Sequence, residues 1–270
     1  MALSRLGRRV AFHTCYADDH FGAMLRDHLA EAGVLAAGDP AVIDHSSSAV
    51  ATIGADGAAS YEFDISWRLG PLALPDGAEP VVVHTSSIAA VLAPGADSVA
   101  ELVAELRSRA SVSYDINARP MVTGTGPDVL ARIDRLVRLS DVVKASDEDL
   151  EVLYPGRPYG ESARELLGRG PAAVVVTLGG DGAVAFTAQG EVRIDPVRVD
   201  VADTIGAGDT FGAALIDALW SRDLLGAEHR TDLHGLEPHG WTEVLGYAAR
   251  AAAVTVSRAG ANPPYRHELD

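Results

Sequence analysis

Short runs of β-branched and apolar residues alternate along this chain with longer stretches whose apolar positions recur every three to four residues. Val81-Val82-Val83, Val112-Ser113-Tyr114, Val142-Val143 and Val174-Val175-Val176 read as short strands. Between them, Val99 to Arg109 carries Leu102, Val103 and Leu106 on one helical face. Val129 to Leu139 does the same with Leu130, Ile133, Leu136 and Val137. Such alternation predicts an α/β fold, a mainly parallel sheet covered by helices on both faces. Ligands of such sheets bind beyond the carboxyl ends of the strands. There the expected strands finish in polar residues: His84, Asp115, Lys144 and Thr177.

One stretch departs from this rhythm. From Ala49 to Ser66 two alternating segments flank Asp56-Gly57, a strong hairpin signal. An inserted hairpin does not join a parallel sheet readily, so residues 49–66 are expected to project as a flap. At the start, Ala2 to Leu6 reads as the last turns of a helix closed by Gly7, and Arg9 to Thr14 as a strand. A helix this short and uncapped is unstable alone, so it reads as the tail of a longer element. Arg222 to Gly240 reads as a loop before a final helix from Trp241 to Val256.

The chemistry concentrates in Asp203-Thr204-Ile205-Gly206-Ala207-Gly208-Asp209-Thr210-Phe211-Gly212. Phe211, Leu215, Ala218 and Leu219 mark the apolar face of the helix that this string opens. Glycines let backbone N–H groups turn inward, and a helix start adds unpaired donors at the positive end of its dipole. The amides of Gly206, Ala207 and Gly208 thus form a cradle for phosphate, with the Asp209 carboxylate at its lip. Phosphoryl transfer needs both parts, donors for the moving charge and a base for the attacking hydroxyl. A helix N-cap is the plainer reading of such an aspartate.

Composition narrows the partners. The 270 residues suffice for one large domain, and 38 acids against 22 bases give a net charge of −16. That charge disfavours nucleic acid and anionic membranes as partners. A single cysteine, Cys15, excludes an internal disulfide framework. With neither a signal-peptide pattern nor an apolar run of membrane-spanning length, the expected location is cytoplasmic. The glycine cluster comes late and ends in aspartate, unlike the dinucleotide fingerprint after a first strand, and the nine histidines show no HExxH spacing.

The Gly206–Asp209 string resembles the second signature of the PfkB, or ribokinase-like, carbohydrate kinases. Further segments resemble the fructokinase-like branch of that family. They are Leu6-Gly7-Arg8-Arg9-Val10 with Asp19-His20-Phe21-Gly22, the hairpin Asp56 to Phe63, Asp115-Ile116-Asn117-Ala118-Arg119-Pro120, Thr177-Leu178-Gly179-Gly180-Asp181-Gly182, and Ser257 to Pro264. The resemblance spans essentially the whole chain. It implies a single three-layer ribokinase-like domain over residues 1–270 with the 49–66 hairpin as a lid. It also implies ATP- and Mg²⁺-dependent phosphorylation of a sugar hydroxyl, with fructose the first choice of acceptor and 2-keto-3-deoxygluconate or ribose the alternatives. A monovalent cation such as K⁺ and dimerisation through the lid go with it.

The resemblance further implies roles for individual residues. Asp209 would be the base, and Arg119 would brace the transferring phosphate or the sugar unless it makes only a surface ion pair. Asn117 would orient the sugar, or it is a turn residue. Tyr61 and Phe63 would close over the sugar, or they pack on each other. Lys144, Ser146, Thr177, Gly179, Gly180, Gly182 and Asn262 would line the nucleotide, although the glycines also suit a plain turn and Asn262 a plain loop. Asp149, with Ser146, stands where relatives carry NxxE, whose acid organises the metal; Ser-x-x-Asp is equally a capping box. Ala17 stands where relatives usually have glycine. The family's opening strand and its Gly-Gly…Asn sugar segment have no counterpart, so an N-terminal segment is expected to be missing. A non-catalytic binding protein is the competing expectation.

Overall fold

A computed structural model describes residues 1–53 and 59–269. The ten strands of the described residues are β1 (Ala11–Phe12), β2 (Leu35–Ala36), β3 (Ser48–Ile53), β4 (Ala59–Asp64), β5 (Val82–Ser86), β6 (Ser111–Asp115), β7 (Val142–Ser146), β8 (Ala173–Thr177), β9 (Ala183–Thr187) and β10 (Gly190–Ile194). The helices are α1 (Ala2–Arg5), α2 (His20–Glu31), α3 (Ser87–Val91), α4 (Gly95–Leu106), α5 (Pro120–Thr123), α6 (Pro127–Leu139), α7 (Asp147–Leu153), α8 (Tyr159–Leu167), α9 (Ala207–Trp220), α10 (Arg230–His234) and α11 (Pro238–Val256).

Six strands form the central sheet in the order β10-β9-β8-β7-β6-β5; β5 to β8 run parallel, and β9 and β10 return antiparallel. Strand alternation sends successive side chains to opposite faces. Val112, Tyr114, Val143, Val174 and Val176 pack with residues of α3, α4, α6, α7 and α8, whereas Val142, Ala173 and Val175 pack with α9 and α11. The result is the expected three-layer α/β/α arrangement. Phe211, Leu215, Ala218 and Leu219 of α9 are all buried in the second of these cores, as their spacing predicts.

The expected hairpin is present as β3 and β4, paired antiparallel from Ser48↔Asp64 to Ile53↔Ala59. Its Asp56-Gly57 turn lies outside the described residues.

Three expectations need correction. Arg9 to Thr14 contains only a two-residue strand, β1, which pairs with β2 rather than with the central sheet. His84 and Lys144 do not end their strands. Thr85-Ser86 and Ala145-Ser146 keep the backbone in register with Tyr114-Asp115 and Val176-Thr177 for two more residues, because small polar side chains do not interrupt the ladder. The stretch read as a loop before Trp241 contains α10, and α11 starts at Pro238. Proline at the first helical position has its φ already set, and its missing N–H is lost on no intrahelical bond. Among the described residues no helix is long and apolar enough to cross a membrane.

Candidate active site

Most of the chemistry predicted from sequence meets at the carboxyl edge of β5–β8, under the start of α9. Gly206 is the N-cap of that helix, in the left-handed region at φ +78°. A Cβ there would lie 2.9 Å from the Cβ of Ala261, so the loop before α9 and the C-terminal turn touch through a bare backbone. Asp203 holds the two together. Its Oδ1 accepts from the Ile205 amide at 3.0 Å and its Oδ2 from the Gly260 amide at 3.0 Å. Those amides hold its carboxyl below the usual range. At the other end of the first turn, Thr255 of α11 donates to Thr210 Oγ1 at 2.9 Å. Asp203 and Thr255 brace the cradle, and neither stood out in the sequence, where one read as part of the signature and the other as a helix residue.

Ala207 and Gly208 supply the first-turn amides of α9; the Ala207 amide donates to the Thr204 carbonyl at 3.3 Å, and the Gly208 amide has no intrahelical partner. Gly208 and Asp209 are solvent-exposed. Asp209 is close enough to act electrostatically on His84 and Asp115.

Lys144, expected to line the nucleotide, is buried against its strand neighbour and beneath the start of α9. It is 6% exposed, its Nζ donates to Asp115 Oδ2 at 2.8 Å, and it lies 3.5 Å from where a Gly208 Cβ would be. Asp115 is 3% exposed and its pKa is raised by burial, against the opposing pull of Lys144. Beside this pair, His84 Nδ1 and Ser113 Oγ share a hydrogen bond of 3.1 Å. Burial first, and then repulsion from Lys144, push the imidazole down to about 4, with Asp209 pulling the other way. The His84 residue as a whole is solvent-exposed, so the Lys144 repulsion is the sturdier of the two causes.

The Asn117–Arg119 loop follows β6. Asn117 has φ +40°, a strained conformation for a residue with a side chain. Asp149 fixes this loop: its Oδ1 accepts from the Ala118 amide and its Oδ2 from the Ser146 amide, each at 2.8 Å. Ser146 Oγ accepts in turn from the Asp149 amide, so the capping box is realised at the start of α7. Both Asp149 oxygens thereby accept from backbone amides. Among the described residues no group of three or more His, Cys, Asp or Glu side chains could hold a metal ion. Arg119 is exposed, caps α5 and donates to the neighbouring Ala118 carbonyl at 2.8 Å.

Thr177 ends β8 and donates to Ala145 O at 3.4 Å. Gly179-Gly180-Asp181 forms one tight turn into β9, and Gly182, at φ +89°, leaves no room for a Cβ against the Ile194 carbonyl. The turn reading therefore holds. Asn262 is bound elsewhere, its Oδ1 accepting from Arg5 Nη1 of α1 at 2.6 Å. Tyr61, 58% exposed, stacks on Phe63 at 6.0 Å between ring centroids, as hairpin aromatics do.

A three-layer α/β fold with an anion cradle and an exposed acid at one helix start is the form of a phosphoryl-transfer protein. The family model described as "pfkB family carbohydrate kinase" matches residues 1–268, and the chain belongs to that family. A fructokinase of Rhizobium leguminosarum bv. trifolii is 33% identical over 231 residues, covering 83% of this chain and 70% of the relative. Among solved structures, a fructokinase with bound ATP from Xylella fastidiosa superposes with a TM-score of 0.82 at 26% identity, covering 99% of this chain and 86% of that one. A fructokinase from Vibrio cholerae O395 bound to fructose, ADP and calcium superposes with a TM-score of 0.74 at 26% identity, over 96% and 83% of the two chains. The protein is a carbohydrate kinase of ribokinase-like fold.

Proposed function

We propose that the chain transfers the γ-phosphoryl group of ATP to a hydroxyl of fructose, with Asp209 as the base and the amides of Gly206, Ala207 and Gly208 as the anion hole. The observation that carries this reading is an exposed Asp209 on the first turn of a helix whose start is pinned open by Gly206 and Asp203. The fructokinase relatives support fructose as acceptor.

In this mechanism Asp209 accepts the proton of the sugar hydroxyl as its oxygen bonds to phosphorus and the bond to the ADP oxygen breaks. The first-turn amides take up charge as it spreads over the phosphoryl oxygens. Asn117 and Arg119, on the loop that Asp149 fixes, hold the sugar and the phosphoryl group. Thr177, Gly179, Gly180 and Gly182 border the nucleotide, and the hairpin with Tyr61 closes over the sugar. Magnesium is expected to arrive with the ATP phosphates, as this ion often does, rather than to occupy a cage of side chains.

Coupled ADP-release assays with fructose, ribose and 2-keto-3-deoxygluconate test the proposal. Fructose should give the highest kcat/KM, and Asp209→Asn should lower kcat about 10²–10⁴-fold. Because Asp209 is exposed, that variant should melt close to the wild type. ATP binding without turnover of any sugar would favour a non-catalytic role, and full activity of Asp209→Asn would remove the base from the mechanism.

A further inference from the structure

Strands of a parallel sheet covered on both faces are expected to be apolar throughout. On the face beneath α9, β6 and β7 are not, for Asp115 and Lys144 stand side by side in register there. Lys144 runs under the helix where α9 has no side chains. Its Cδ lies 3.6 Å from the position of a Gly212 Cβ, and its Nζ 3.5 Å from that of a Gly208 Cβ. Gly208 and Gly212 are four residues apart, one above the other on the same side of the helix.

Nothing in this arrangement favours the fold. A cation beneath a helix N-terminus has the wrong sign for the helix dipole, which prefers acids there. A buried ion pair can often be exchanged for apolar residues with no loss of stability. The pair is also incompletely satisfied, since Asp115 Oδ1 is buried and has no hydrogen-bond partner. What the arrangement does favour is an anion above the helix start, because the dipole, the first-turn Gly208 amide and the ammonium then all attract it together.

We propose that Lys144, held by Asp115, is the electrostatic floor of the anion hole. It is a positioning residue that acts on the transferring phosphoryl group from beneath the Gly208 backbone, not a ligand on the nucleotide side. The proposal rests on the phosphoryl-transfer reading of the site.

The experiment compares wild type with Lys144→Met and with the double variant Asp115→Asn/Lys144→Met, which leaves no unpaired buried charge. ATP and ADP affinities by calorimetry and fructose kinetics are measured on each. In the double variant the melting temperature should return to near that of the wild type, ADP affinity and the sugar KM should stay within twofold, and ATP affinity relative to ADP and kcat should each fall at least tenfold. A merely structural pair predicts instead that kcat and the ATP preference recover along with stability, and that result overturns the inference. A wild type that binds ATP and turns over sugar normally, beside an equally active double variant, removes the inference alone. A wild type that binds no ATP removes the phosphoryl-transfer reading and the inference with it.

Discussion

Replacing Gly206 by alanine tests whether the cradle depends on a bare backbone. Two costs follow from the structure. At φ +78° a residue with a Cβ sits in the left-handed region, at about 1–2 kcal/mol. The new methyl would also meet the Ala261 Cβ at 2.9 Å and its Cα at 3.2 Å, closer than carbon atoms tolerate. Overpacking of this kind costs about 1–3 kcal/mol. The sum, about 2–5 kcal/mol, is a large part of the roughly 5–15 kcal/mol that holds a typical domain folded. At roughly 2–4 °C per kcal/mol for a large domain, the melting temperature should drop by about 4–20 °C. If the chain relaxes instead of unfolding, the start of α9 shifts and carries the amides and Asp209 with it. A displacement of about 1 Å costs on the order of 10²-fold in rate. Thermal melts by circular dichroism, with kinetics well below the melting point, read both effects. Ala261→Gly in the Gly206→Ala background removes the 2.9 Å contact and leaves the 3.2 Å contact with the Cα and the backbone cost, so the double variant should recover part of the roughly 1–3 kcal/mol of overpacking. A Gly206→Ala protein that melts within 1–2 °C of wild type on this scale and keeps its kcat would refute the reasoning. So would a complete absence of rescue by Ala261→Gly.

Three further outcomes follow from single side chains. Asp149→Ala removes the bond to the Ser146 amide, one half of the α7 capping box, and the bond to the Ala118 amide, so urea unfolding should show a loss of about 1–3 kcal/mol, and the sugar KM should rise as the Asn117–Arg119 loop loosens. Asp217, 1% exposed in α9, accepts from Arg8 Nε at 2.6 Å, Arg266 Nη2 at 2.7 Å and Tyr247 Oη at 2.9 Å. Asp217→Ala should cost about 2–4 kcal/mol, near the low end for a broken buried pair because both arginines partly reach water; an unchanged denaturation midpoint would count against this hub. His84 is held down at about 4, whereas an unfolded histidine takes up its proton near 6.5. Between those values the unfolded state binds more protons, so stability should fall as pH drops from about 6.5 to 4. His84→Asn should flatten that slope in urea midpoints across the range, and equal slopes for the two proteins would show that His84 does not titrate this way.

The central sheet was legible because β5 to β8 are covered on both faces, which demands continuous apolar runs, and because α6 buries one regular stripe. The hairpin was legible from two alternating segments around Asp56-Gly57. The Ser146–Asp149 box was legible as one of two readings, and the structure realises the cap. Less visible was α10, only five residues long and set among glycines, histidines and acids, where local preference is weak. The start of α11 was hidden in the same way. Thr177 to Gly182 was read as a turn, but the strands after it were not separated, since antiparallel β9 and β10 follow from pairing rather than from any period in the segment.

What the sequence could not display is which polar residues share a site. Asp115 and Lys144 are 29 positions apart and meet only because β6 and β7 pair in that register; a shift of one residue would send one of them to the opposite face. The same holds for Asp203 and Gly260, 57 positions apart, and for Arg8 and Asp217, 209 apart. Each pair ties α9 or the loop before it to a different part of the chain. A local motif can therefore announce the anion cradle, because its donors come from consecutive backbone atoms. It cannot announce the charge beneath the cradle or the braces around it, because those come from strand register and chain closure. A substitution at Lys144 or Asp203 thus leaves the Gly206–Asp209 signature intact in sequence while changing the field or the geometry in which that signature works.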